Sequence, residues 1–179
     1  MNTGLIASRY AKALLLYAFE ERGEETVYHE MTNVLNSFRQ LPQIRSVLGN
    51  PVTKNADKVK LMLQMCGGTT PSKAYERFVH TLIDNSREEL LMECSRQYIE
   101  QYREKKHIYV VRLTTATESD QMTVDRITRL LKNFDHSATV EYEKTVDPGI
   151  IGGFVVQVGY NRVDGSVRSQ LNEIARNLR

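Results

Sequence analysis

The chain has 179 residues, 41% of them hydrophobic and 26% charged, the balance of an ordinary soluble globular protein of one or two domains. Its formal net charge of +2 lacks the basic excess expected of a nucleic-acid binder. The two cysteines, Cys66 and Cys94, are too few and too far apart for a secreted disulfide scaffold, and they read as reduced core thiols.

The first 106 residues read as helices. "GLIASRYAKALLLYAFEER" places Ile6, Tyr10, Ala13, Leu14 and Tyr17 on one stripe at helical spacing, and Gly23 interrupts it. Its apolar piece is far short of the ~20 residues of a membrane span. The charges around it (Arg9, Lys12, Glu20, Glu21) and the absence of a small-residue cleavage site argue against a signal peptide. A second helix buries Val27, Met31, Val34, Leu35 and Phe38. Pro42 opens a short third helix, which "GNP" at 49–51 stops. A fourth carries Val59, Leu61, Met62, Leu63 and Met65 and ends at Gly67 and Gly68. Pro71 and Ser72 open a fifth that reaches Asp84. A sixth spans residues 87–106 with Leu91, Cys94, Tyr98 and Tyr102 inside.

At His107 the pattern changes. "IYVVRLTTAT" is β-branched and aromatic, a strand. "SDQMTVDRITRLLKNF" follows as a helix capped by Ser119 or Asp120, with Ile127, Leu130, Leu131 and Phe134 inward. "SATVEYEKTV" alternates as a strand, with Val140, Tyr142 and Lys144 on one side. "GGFVVQV" is a further strand, "NRV" a short return, and a last helix begins at Ser166. The expected fold is therefore α+β: a six-helix bundle over residues 1–106, then a small β-α-β-β-α domain with a mixed sheet over residues 107–179.

Chemistry-bearing motifs are missing. His29, His80, His107 and His136 lie in four different elements without metal-ligand spacing, so no metal site is expected. No GxSxG accompanies Ser95, Ser119 or Ser166, so no catalytic nucleophile is expected. "GIIGG" has neither the P-loop ending nor the GxGxxG spacing, and Gly152 and Gly153 open a strand where a phosphate loop would open a helix. No cofactor is expected. "REKKH" at 103–107 is basic, but Glu93 with Arg96 and Glu100 with Arg103 fit a solvated helix face. Lys105, Lys106 and the C-terminal arginines are the only support for a nucleic-acid-binding module.

Apolar width is the informative feature. On a helical wheel, Ile6, Tyr10, Ala13, Leu14 and Tyr17 join Ala7, Ala11, Leu15 and Ala18 in a band roughly 200° wide, about twice an ordinary core stripe. The fifth helix does the same over roughly 180° with Ala74, Phe78, Leu82, Tyr75, Val79 and Ile83. Such helices either sit centrally in a bundle or border a groove that receives an amphipathic partner helix. The residues leave both readings open.

Three stretches, "IASRYAKALLLYA", "FVHTLIDNSREELL" and "VDPGIIGGFVVQVGYNRVDGSVRSQLNEI", resemble the signature regions of the delta subunit of F-type ATP synthase, whose mitochondrial counterpart is the oligomycin-sensitivity-conferring protein. The resemblance covers nearly the whole chain in order. It implies a non-catalytic stator subunit whose N-terminal bundle binds the N-terminal helix of an alpha subunit and whose C-terminal domain binds the b subunits of the peripheral stalk. It also implies that the head is thereby held against rotation during ATP synthesis coupled to proton transport. On that resemblance the alpha helix would contact Ala7, Tyr10, Ala11 and Leu14 together with Phe78, Val79, Leu82 and Ile83. Val167, Leu171, Ile174 and Leu178 form the last helix's apolar stripe, expected to pack on the sheet, with contact to the b subunits as the other reading. Membrane association would come only through partners, on the cytoplasmic face of a bacterial inner membrane, and no nucleic acid would be bound.

Overall fold

The computed structural model describes residues 3–68, 70–117, 121–159 and 161–177. The chain divides into two compact units, Met1–Glu104 and Lys105–Arg179. It is α+β, with eight α-helices and one four-stranded mixed sheet among the described residues.

The first unit holds α1 (Thr3–Glu20), α2 (Glu24–Gln40), α3 (Ile44–Gly49), α4 (Asn55–Gln64), α5 (Lys73–Asp84) and α6 (Leu91–Lys105). A 3₁₀ turn at Glu88–Leu90 leads into α6, which therefore starts later than the periodicity suggested. Its expected stripe of Leu91, Cys94, Tyr98 and Tyr102 is buried. Tyr102 stacks on Tyr28 of α2 with ring centroids 4.5 Å apart. Arg103, expected on a solvated face, donates to the Tyr28 hydroxyl at 3.0 Å and lies over its ring.

Two helix ends show how the chain turns without glycine in the critical position. Arg22 and Ser86 both adopt left-handed backbone, with φ of 55° and 53°. Gly23 N–H then reaches the Ala18 carbonyl and Arg22 N–H the Phe19 carbonyl. At the other end Arg87 N–H reaches Leu82 and Ser86 N–H reaches Ile83. Both are Schellman closures, which satisfy carbonyls that a helix end would otherwise leave open. Gly23 is thus one residue past the left-handed position.

The second unit runs β1 (Ile108–Thr115), α7 (Gln121–Phe134), β2 (Thr139–Val146), β3 (Phe154–Val158), β4 (Asn161–Asp164) and α8 (Val167–Asn177). The expected β-α-β-β-α order gains a strand: the "NRV" return pairs antiparallel with β3, Val156 opposite Val163. The sheet order is β2-β1-β3-β4, with β1–β2 parallel and the other pairings antiparallel. The parallel pair is joined through α7, as a parallel connection requires. Val111, Leu113, Val124 and Val156 form the core, with Ile127, Leu131, Val140 and Tyr142 against it. Leu130, expected inward, is 63% exposed, and the Phe134 side chain and the Ser119 or Asp120 cap lie outside the described residues.

The two adjacent glycines precede β3, which begins at Phe154. Gly153 has φ +75°, and a Cβ there would stand 2.2 Å from the Gly165 carbonyl oxygen. Gly152 accepts from Val167 N–H, and Gly165 N–H donates to Phe154. The pair therefore lets the start of β3 press against the turn that launches α8, the close backbone approach that only glycine allows. Ser166 caps α8 by accepting from Ser169 N–H at 3.2 Å, and Asp164 accepts from Ser166 N–H at 3.0 Å.

Candidate functional site: an apolar groove between α1 and α5

The wide apolar band of α1 serves both the interior and a cleft, with Leu14 shared between them. Ala7, Ala11, Leu14, Leu15 and Ala18 turn inward. Tyr10, Ala13, Leu14 and Tyr17, spaced i, i+3, i+4 and i+7, border a cleft of about 220 Å³. The other wall is Ala74, Arg77, Phe78 and Thr81 of α5, at the same spacing. Two helices thus present matching two-turn stripes to one opening, about 10 Å long at the standard rise. Ala13, Ala74 and Thr81 are small, so the backbones lie near the surface there.

The helices run in opposite directions along the cleft. Arg77 lies over the Tyr17 ring at 5.0 Å from its centroid, and Arg87 lies over the Tyr10 ring at 5.4 Å. Arg87 Nη1 also donates to the Tyr10 hydroxyl at 3.0 Å. Each end of an apolar trough therefore carries one guanidinium on one tyrosine.

Of the eight residues expected to meet a partner, three reach the cleft and five do not, although Leu14 and Phe78 among the three are themselves largely buried. Tyr10, Leu14 and Phe78 line the cleft. Ala7, Ala11, Val79 and Leu82 are 0% exposed and pack within the unit, and Ile83 is also buried. Ala13, Tyr17, Ala74, Arg77 and Thr81 complete the lining. Arg77 and Thr81 were missed because a search for apolar bands passes over polar residues.

Three contacts hold α5 in place. Glu30 of α2 accepts from Ser72 N–H and from the Ser72 hydroxyl, both at 2.6 Å, and Ser72 in turn accepts from Tyr75 N–H. The Tyr75 hydroxyl donates to the Met62 carbonyl at 2.6 Å in the interior. Beyond the helix, Lys58 and Glu88 form a buried ion pair. Burial raises the Glu88 carboxyl, but the Lys58 hydrogen bond and charge outweigh it and hold it below the usual range.

The second unit carries two further apolar surfaces. A hollow of about 440 Å³ lies between α7 and the β3–β4 edge, lined by Ile127, Leu130, Leu131, Phe154, Val156 and Val163 with Thr123 and Arg126. On α8, Leu171 and Ile174 are 51% and 55% exposed. Of the stripe expected to pack on the sheet, only Val167 is partly covered, near Gly152, and Leu178 lies outside the described residues. The helical members of the sheet's core cluster, Val124, Ile127 and Leu131, all come from α7, and no described α8 residue belongs to it.

Among the described residues, no three His, Cys, Asp or Glu groups could together hold a metal ion, and no helix is long and apolar enough to cross a membrane. Burial, with Glu93 nearby, pushes the Cys94 thiol up to about 12, so it stays protonated and weakly nucleophilic.

Apolar grooves and uncovered helix faces on a scaffold of packed helices define a protein that works by binding other protein segments. Comparison with known proteins gives the particular family. The family model described as "ATP synthase delta (OSCP) subunit" matches residues 6–178. The chain is 38% identical to the ATP synthase subunit delta of Phocaeicola vulgatus over 174 residues, covering 97% of this chain and 94% of that one. It is 36% identical to that of Parabacteroides distasonis over 178 residues, covering 99% and 98%. Its fold matches a chain in the cryo-EM structure of the Toxoplasma gondii mitochondrial ATP synthase hexamer, with TM-score 0.67, 21% identity and 96% of each chain covered. The chain belongs to the ATP synthase delta (OSCP) subunit family, and is a non-catalytic stator subunit of that proton-transporting complex.

Proposed function

We propose that the α1–α5 groove receives the N-terminal helix of an alpha subunit, and that the second unit binds the b subunits of the peripheral stalk. The helical unit, a six-helix bundle, then sits on the catalytic head, and the chain holds that head against the rotor. Membrane association comes through these partners, on the cytoplasmic face of a bacterial inner membrane. The observation that carries the reading is the pair of facing stripes, Tyr10-Ala13-Leu14-Tyr17 and Ala74-Arg77-Phe78-Thr81. An amphipathic helix laid between them would bury its apolar face by filling an existing trough. The uncovered Leu130, Val163, Leu171 and Ile174 support stalk binding by the second unit. Two anchors on one chain reinforce each other through effective concentration, which suits a part under load.

The test is titration of the full chain with a fluorescein-labelled peptide from the alpha-subunit N-terminus of the same enzyme. Saturable binding is expected, and it should be lost in Ala13→Glu and Thr81→Glu. Both positions are exposed, so the fold survives the substitution. Binding that persists in both variants removes the groove from this role.

A further inference from the structure

The two arginines at the ends of the groove have no acidic partner among the described residues. Arg77 contacts the Tyr17 ring, and Arg87 contacts the Tyr10 ring and hydroxyl; among the described residues no carboxylate pairs with either guanidinium. A guanidinium lying over an aromatic face is oriented, and its N–H edges remain available for a bidentate carboxylate contact.

Arg87 is also fixed at its backbone. Its N–H closes the Schellman turn onto Leu82, with Ser86 left-handed before it. The next residue, Glu88, is tied to buried Lys58. Arg77 stands on α5 itself, one turn from its start, and α5 is clasped at that start by Glu30. Tyr10 and Tyr17 are seven residues apart on α1, so the two stacks stand about 10 Å apart.

We propose that Arg77 and Arg87 are specificity-determining residues for the groove. They select an amphipathic guest helix whose flank carries two carboxylates about two turns apart, one for each arginine, with its apolar side chains between them on Leu14 and Phe78. The proposal rests on the groove reading above and adds charge pattern and register to it. The apolar trough supplies most of the affinity. The arginines reject guests with a basic or uncharged flank and fix the guest along the trough, because a slip of one turn leaves both cations unmatched.

The experiment uses the full chain, the alpha-subunit N-terminal peptide, and the same peptide with every Asp and Glu replaced by Asn or Gln. Arg77→Gln and Arg87→Gln are each expected to weaken the native peptide roughly two- to fivefold, with a flatter salt dependence. The amide-substituted peptide is expected to bind the wild type as weakly as the native peptide binds the double variant, and to be insensitive to either substitution. Arg77→Lys and Arg87→Lys should restore the salt dependence and part of the affinity. Native peptide binding that is unchanged in the double variant overturns the proposal and leaves the groove reading standing. Absence of binding by both peptides overturns the two together. Unchanged thermal melts of the variants confirm that an affinity loss reports the contact.

Discussion

Glu30 and Ser72 lie 42 residues apart in sequence, yet one carboxylate takes both donors of the other residue, N–H and hydroxyl, at 2.6 Å each. The anionic group stands at the N-terminal end of α5, where the helix dipole favours negative charge. The contact ties α5 to α2 and so sets one wall of the groove.

Glu30→Ala should lower the stability of the helical unit by about 1.5–3 kcal/mol, because it leaves the Ser72 donors and a buried space behind. Glu30 is only 6% exposed, so water recovers little of the loss. Urea unfolding followed by circular dichroism measures it. A change below about 0.5 kcal/mol contradicts the assigned role.

Gly153→Ala should destabilise the second unit by roughly 2–4 kcal/mol. The added methyl meets a backbone carbonyl, which cannot rotate aside, and the left-handed φ adds strain. Differential scanning calorimetry should show the loss. A neutral result would mean that the β3–α8 approach is looser than described.

Ser86→Gly and Arg22→Gly should each stabilise the helical unit, by roughly 0.5–1 kcal/mol, since glycine takes the left-handed position without the Cβ penalty. Only the Ser86 change abuts Arg87, so it alone is expected to alter peptide affinity. Paired melts and titrations separate the two effects.

Asp135 gives a prediction with pH. It accepts from the Ser137 hydroxyl and N–H, and it also binds His107 Nδ1 and the Tyr109 hydroxyl. The Ser137 bonds foremost, helped by His107 and Tyr109, hold its carboxyl down at about 2. A carboxyl lower in the folded chain than its ordinary value of about 3.9 stabilises the fold above that value. The contribution fades as pH falls from about 4 towards 2. Stability of the second unit should therefore drop over that window, and Asp135→Asn should flatten the drop.

The order of elements was legible because periodicity switches once, at His107, and because Gly, Pro and Ser punctuate the chain. The breadth of α1 and α5 pointed to a groove, but width does not say which half faces in. Ala7 and Ala13 look equivalent as residue types, yet one is sealed in the core and the other borders the cleft. Burial of Lys58 was illegible, since its partner Glu88 arrives from a distant turn. β4 was hidden because four residues rich in charge carry little strand signal, and only pairing with β3 makes them a strand. The stripe of α8 followed the helical period correctly. Period alone does not say whether such a stripe meets the chain's own core, and here Leu171 and Ile174 stay exposed.

β1 is the first element of the second unit and sits inside its sheet, with β2 on one side and β3 on the other. On the proposed two-anchor role, tension passing through residues 105–107 would enter the second unit along this strand. Ladder hydrogen bonds lie across the strand direction, so such a pull loads both ladders in shear. The eight paired positions to β2 and the five to β3 would have to yield together, whereas an edge strand drawn sideways opens one bond at a time. On that role force would enter the most extensively paired strand among the described residues, and the sheet would serve as a mechanical clamp for a stator subunit.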